Sequence, residues 1–155
     1  MSVLLGLDLG DRRIGVAAGD SESGLITPIL TLQRSTPQRD ARAIDRISGE
    51  RGATELIVGL PLHMDGTESE QSTRTRAWVA SVTPLIGLPI AFRDERRTSE
   101  AARARMGRPP RGRSGGPPSA SALRSWRARI DREAAAAILQ AELDARGAAA
   151  TEDRA

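Results

Sequence analysis

Two short apolar runs open the chain, Val3–Leu9 and Ile14–Ala18, and only the polar turn Gly10-Asp11-Arg12-Arg13 separates them. Runs of this length are too short for stable helices, and so brief a link leaves them one arrangement, an antiparallel β-hairpin. The hairpin commits the fold to a sheet. It also carries an anomaly: Asp8 stands between Leu7 and Leu9 in a segment that must be at least half buried. A carboxylate there is costly unless it is paired, hydrogen-bonded or bound to a metal.

The rest of the chain extends that sheet. Leu25–Leu32, interrupted by Pro28, reads as a third and less regular strand. Arg39–Arg51 spaces Ala43, Ile44 and Ile47 along one helical face and stops at Gly52. Glu55–Leu60 is an apolar strand of the buried, parallel type, closed by Pro61. A helix is expected over Ser69–Val82, a strand over Pro89–Phe92, and a helix over Thr98–Met106 capped by Thr98 or Ser99. An Ala-rich helix, Ile130–Arg146, should end at Gly147. The order βββαβαβα predicts a mixed five-stranded sheet flanked by helices, an α/β fold. At 155 residues there is room for one domain. We expect it to cover residues 1–146, with a disordered tail over 147–155.

Aromatic residues make up only 2% of the chain, so the core must be built from Leu, Ile, Val and Ala. Cysteine is absent, which excludes disulfides, thiolate metal sites and thiol nucleophiles. No window reaches the apolar length of a membrane span, and no export signal is visible at the N-terminus, so a cytoplasmic protein is expected.

Charge is distributed unevenly. All 23 basic residues are Arg, a bias that a GC-rich genome explains as well as any function does. Position says more than composition. Between Glu100 and Asp131 there are eight arginines and no acidic residue, whereas the rest of the chain carries a net charge of −5. The stretch 107–129, rich in Gly, Pro, Ser and Arg, is expected to be a mobile insert. A basic stretch empty of acids is either a solvated linker or the electrostatic footprint of a nucleic-acid partner. Trp126, set among Arg124, Arg127 and Arg129, suits a base-stacking platform and an anchor to the core equally well.

Asp8 has possible companions. Asp94-Glu95 follows the Pro89–Phe92 strand, and Asp131 opens the final helix. Taken singly, Asp131 is a good N-cap and the Asp94-Glu95 pair has Arg93, Arg96 and Arg97 beside it. Taken together, acids at strand ends and at the start of a packing helix can meet on one sheet edge and hold Mg²⁺ or Mn²⁺. A hard-cation site beside a basic arm points to hydrolysis of a phosphodiester.

The same residues carry a family likeness. Gly6-Leu7-Asp8-Leu9-Gly10 with Arg13-Ile14-Gly15-Val16-Ala17 resembles the opening of the YqgF/RuvX family of Holliday-junction-resolvase-like proteins. So do Ile57-Val58-Gly59-Leu60-Pro61-Leu62 with Met64-Asp65-Gly66-Thr67, then Asp94-Glu95-Arg96, and then Ile130-Asp131 followed by Ala134–Gln140. The blocks stand in the family's order from about residue 3 to 146. The resemblance implies a ribonuclease H-like fold and a part in maturing the 5′ end of pre-16S rRNA. The family's acidic positions fall on Asp8, Asp94-Glu95 and Asp131, with Glu95 the expected ligand and Asp94 in reserve. Arg13, Arg96, Thr98, Arg124, Arg127 and Arg129 are the expected nucleic-acid contacts. Arg97 replaces the Leu that usually follows the family's Asp-Glu-Arg, and Gly19-Asp20 stands where Ser-Asp is frequent.

Three functions fit this pattern. The first is a metal-dependent nuclease acting on pre-16S rRNA. The second is a Holliday junction resolvase cutting branched DNA at the same site. The third is a non-catalytic RNA-binding assembly factor whose acids are structural. The opening also resembles the first phosphate loop of sugar kinases and actin-like ATPases, but those need two such domains. His63 and Asp65 read as loop and turn residues. A homodimer is compatible with the chain, although no interface is legible in it.

Overall fold

A computed structural model describes residues 2–95 and 104–154. Five strands, β1 (Val3–Leu9), β2 (Arg13–Asp20), β3 (Ile26–Gln33), β4 (Ala53–Leu60) and β5 (Ile90–Asp94), form one sheet in the order β3-β2-β1-β4-β5. The hairpin is present, with Asp8 opposite Gly15, and β3 continues it antiparallel. β4 and β5 run parallel to β1, reached through the helices α1 (Pro37–Arg51) and α2 (Glu70–Val82). The mixed α/β sheet predicted from the pattern is therefore the one observed.

Strand alternation gives the sheet two working faces. On one, Leu5, Leu7, Leu9, Ile14, Val16, Leu56 and Val58 pack beneath α1 and α2 with Ile44, Ile47, Trp78 and Val82. The other face takes Leu4, Ala17 and Ile57 beneath Ala135, Ala136, Ile138 and Leu139 of the last helix, α3 (Ala120–Arg154). Asp8 and Gly15 belong to this second face by the same alternation. α3 lies very close to it: a Cβ added to Gly15 would come within 2.0 Å of the Asp131 carbonyl oxygen. Glycine on the strand is thus what lets Asp131 sit over the hairpin.

α3 corrects two expectations. It begins at Ala120 and not at Ile130, so the second half of the stretch expected to be a mobile insert is helical. Ser119 supplies the start, its hydroxyl accepting from the Ala122 N–H at 3.1 Å, and Thr31 of β3 donates to the Ala128 carbonyl at 2.7 Å. Helix-forming Ala, Leu and Arg outweigh the basic composition once a cap and a sheet contact exist. At the other end, Gly147 does not stop the helix, and residues expected to be a disordered tail stay helical to Arg154. Gly147 lacks the positive φ of a terminating glycine, and Ala148–Ala150 follow it. Of the helix expected over Thr98–Met106, residues 104–106 are helical and the remainder lies outside the described residues. Among the described residues no helix is long and apolar enough to cross a membrane.

Candidate active site

The site forms where the C-terminal ends of β1 and β4 meet the end of β5 under the first turns of α3. β1 pairs with β4 as far as Leu7 opposite Val58, so Asp8 and Gly59 are the next residues on the two strands. Glu95 closes the rim from the third strand: its N–H donates to the Leu60 carbonyl at 3.1 Å, and its side chain folds over Gly59. A Cβ on Gly59 would come within 2.7 Å of Glu95 Oε2 and 2.4 Å of Ile138 Cδ1. Two glycines, Gly15 and Gly59, therefore make room for Asp131 and Glu95 beside Asp8. Alternation placed these glycines on the α3 face, and that was the signal in the sequence that could have revealed their role.

Glu95 is 6% exposed and Asp8 lies deep enough that burial, first, and the charge of Asp131, second, push its carboxyl up to about 6. A hydrogen bond with Glu95 works in the opposite direction. Such a bond between two carboxyls requires one shared proton, the arrangement expected when acids crowd together without a cation. Asp131 completes the group from α3. Its Oδ2 accepts from Arg13 Nε at 2.6 Å, both side chains being about a quarter exposed or less, at 26% for Arg13 and 21% for Asp131.

The three expected acids are thus neighbours, but they are not a preassembled chelate. Among the described residues no group of three or more His, Asp or Glu side chains is gathered as a metal site. Asp131 is engaged by Arg13, while Glu95 folds over Gly59 beside Asp8. The donor set itself, carboxylate oxygens only, fits a hard divalent cation.

Other expected residues are sorted by position. Asp94 pairs with Leu60 and, one residue from Glu95, lies on the opposite face of the sheet with Phe92. On α3, Arg124 and Arg127 precede Asp131 by seven and four residues and share its side of the helix, whereas Arg129 is two residues away and points elsewhere. Arg96 and Thr98 lie outside the described residues. His63 is exposed, and Asp65 is spent in the turn, accepting from the Thr67 N–H at 2.9 Å and its hydroxyl at 2.6 Å. Sequence reasoning missed Arg34, just past the end of β3, whose Nη1 donates to the Gly10 carbonyl at 2.8 Å and braces the turn after Asp8. Nothing local in the sequence announces that contact.

A five-stranded mixed sheet with acids at the ends of β1 and β5 and at the start of a packed helix is the ribonuclease H-like arrangement. Thermus thermophilus RuvC, solved alone and in complex with a Holliday junction substrate, shares the fold. The complex superposes with a TM-score of 0.52 over 94% of this chain and 96% of that one, at 14% identity. Residues 2–145 match the model of the RuvX family, described as Holliday junction resolvase, and the chain belongs to that family. Its relatives include a protein of Chelativorans sp. (strain BNC1), 41% identical over 91% of this chain and 82% of its own. Another, from Chloroflexus aggregans, is 37% identical over 92% and 94% respectively. Both carry the name "Putative pre-16S rRNA nuclease".

Proposed function

We propose that this protein is a divalent-cation-dependent nuclease that hydrolyses phosphodiester bonds in the 5′ extension of pre-16S rRNA, in the cytoplasm. The observation that carries the reading is the meeting of Asp8, Glu95 and Asp131, far apart in the chain, at one rim beneath α3. The names of the relatives support it.

Asp8, Glu95 and Asp131 would hold Mg²⁺ or Mn²⁺. When bound, such a cation stabilises the charge that develops on phosphorus oxygens during in-line displacement. The chain's own residues prepare for it. Asp8, Glu95 and Asp131 would supply carboxylate oxygens from β1, from the residue after β5 and from α3. The Arg13 guanidinium, held at the rim by Asp131, would offer its remaining N–H groups to a phosphate. Arg124 and Arg127 continue the same positive face along α3 and hold the polyanion. Gly15 and Gly59 fix the approach of the acids by admitting α3 and Glu95.

Incubating a 5′-extended 16S precursor with the protein and Mg²⁺ or Mn²⁺ tests the proposal. Cleavage by the wild-type chain and its loss in Asp8→Asn, which preserves shape but removes the charge, is the expected result. Unchanged cleavage by Asp8→Asn would remove the assignment. The family's description favours a second substrate, a four-way DNA junction, and cleavage rates on the junction and the RNA precursor, compared side by side, decide between them.

A further inference from the structure

A cavity of about 380 Å³ opens beside the acidic rim, lined by Arg13, Trp126, Arg127, Ile130 and Asp131. That volume is within the range of small-ligand sites. Its chemistry is mixed in a particular way: an indole, an apolar floor at Ile130, and two guanidinium groups, of which Arg13 is engaged by Asp131.

Trp126 is the unusual member. The chain has three aromatic residues, and the other two are accounted for. Trp78 is buried in the core, its indole N–H donating to Asp40 Oδ2 at 3.2 Å. Phe92 packs against the same core and carries the Arg76 guanidinium 5.1 Å from its ring centroid. Trp126 instead borders the cavity, and its Nε1 is screened from solvent with no hydrogen-bond partner among the described residues.

We propose that this cavity is a subsite for an unpaired nucleotide adjacent to the bond to be cut, with Trp126 stacking on its base and Arg127 pairing with its phosphate. The proposal rests on the reading of the acidic rim as the cleavage centre. Stacking on an aromatic side chain needs an exposed base face, which a nucleotide inside a duplex does not offer. Every base has a π face, so the subsite selects for an unpaired strand and tolerates any sequence.

The test uses the full chain in EDTA, a single-stranded RNA octamer, the same sequence as DNA, and the blunt RNA duplex. Both single strands should quench the intrinsic fluorescence, since Trp78 is enclosed and Trp126 is the reporter. Trp126→Ala should weaken single-strand binding by about tenfold or more, Trp126→Phe should retain most of it, and duplex affinity should not change. The wild-type quenching comparison needs no substitution, so a poorly folded variant does not weaken the test. Equal quenching by duplex and single strand, or equal single-strand affinity in folded Trp126→Ala, overturns the subsite. With Mg²⁺ present, cleavage without Trp126 dependence leaves the nuclease and removes the subsite. Trp126-dependent binding without cleavage by the wild-type chain keeps a nucleotide site and removes the nuclease.

Discussion

Asp8 is held where its charge is unwelcome, and this makes its ionisation a measurable cost in the metal-free protein. Its folded carboxyl titrates at about 6 against an ordinary 3.8, so the folded state keeps a proton that the unfolded chain gives up. Stability contributed by that proton is complete below 3.8 and lost as pH rises through about 6. Asp8→Asn, which cannot ionise, should therefore be more stable than wild type at pH 8, by on the order of 1–3 kcal/mol, and about equal at pH 4. Urea unfolding at both pH values without metal checks this; a constant difference would show that Asp8 is not strained by its neighbours. Gly15 makes the opposite prediction. The Cβ of Gly15→Ala would meet Asp131 backbone, which cannot yield as a flexible side chain does, and stability should fall by about 1–3 kcal/mol. Equal unfolding midpoints for Gly15→Ala and wild type would mean that α3 is not seated through this glycine. Asp8 stood out in the sequence because a charge inside an apolar strand demands a reason, whereas the preference for Glu95 over Asp94 came with the family resemblance. The Arg13–Asp131 pair was not, because its partners are 118 residues apart and each had nearer alternatives in sequence.

At the scale of elements, α3 does the most to assemble the site and was the element least well read. Its centre, Ala134–Leu139, was plain from composition, but both ends were misjudged because composition hides caps and sheet contacts. Polar residues fasten it further along: Arg93 Nε donates to Glu142 Oε2 at 2.7 Å, and Arg146 bridges Glu142 and Glu55 at 2.9 and 2.8 Å. Burial works to raise the Glu142 carboxyl, but hydrogen bonds from Arg146 and Arg93 outweigh it and hold it below the usual range. The helical tail can be tested at Gly147, where a Cβ would meet nothing. Gly147→Ala should stabilise the protein by roughly 0.5–1 kcal/mol, since alanine forms helix more readily than glycine. Thermal unfolding indistinguishable from wild type would restore the disordered tail. The strands were legible to within one or two residues at each end, because period-two alternation and full burial are both local signals.

For the molecule as a whole, the sheet separates two tasks. The face under α1 and α2 holds most of the aliphatic core, and the face under α3 carries the acids and the close glycine contacts. Charge segregation follows the same plan, with Arg124 and Arg127 leading along α3 to Asp131. Replacing both with Ala should weaken RNA binding and flatten its dependence on salt by roughly 0.7 to 0.9 in log–log slope for each phosphate contact removed. An unchanged slope would return these arginines to the solvated surface, while Arg129→Ala, on the other side of the helix, should leave the slope alone. The central claim is that three distant acids bind one kind of cation together, and titration of Mn²⁺ into the wild-type chain and into Asp8→Asn, Glu95→Gln and Asp131→Asn by calorimetry measures it directly. Each variant should bind at least about tenfold more weakly, because each removes a charged ligand from a shared site. Wild-type affinity in Asp131→Asn would contradict the account, since it would show that α3 brings its acid to the rim for Arg13 alone.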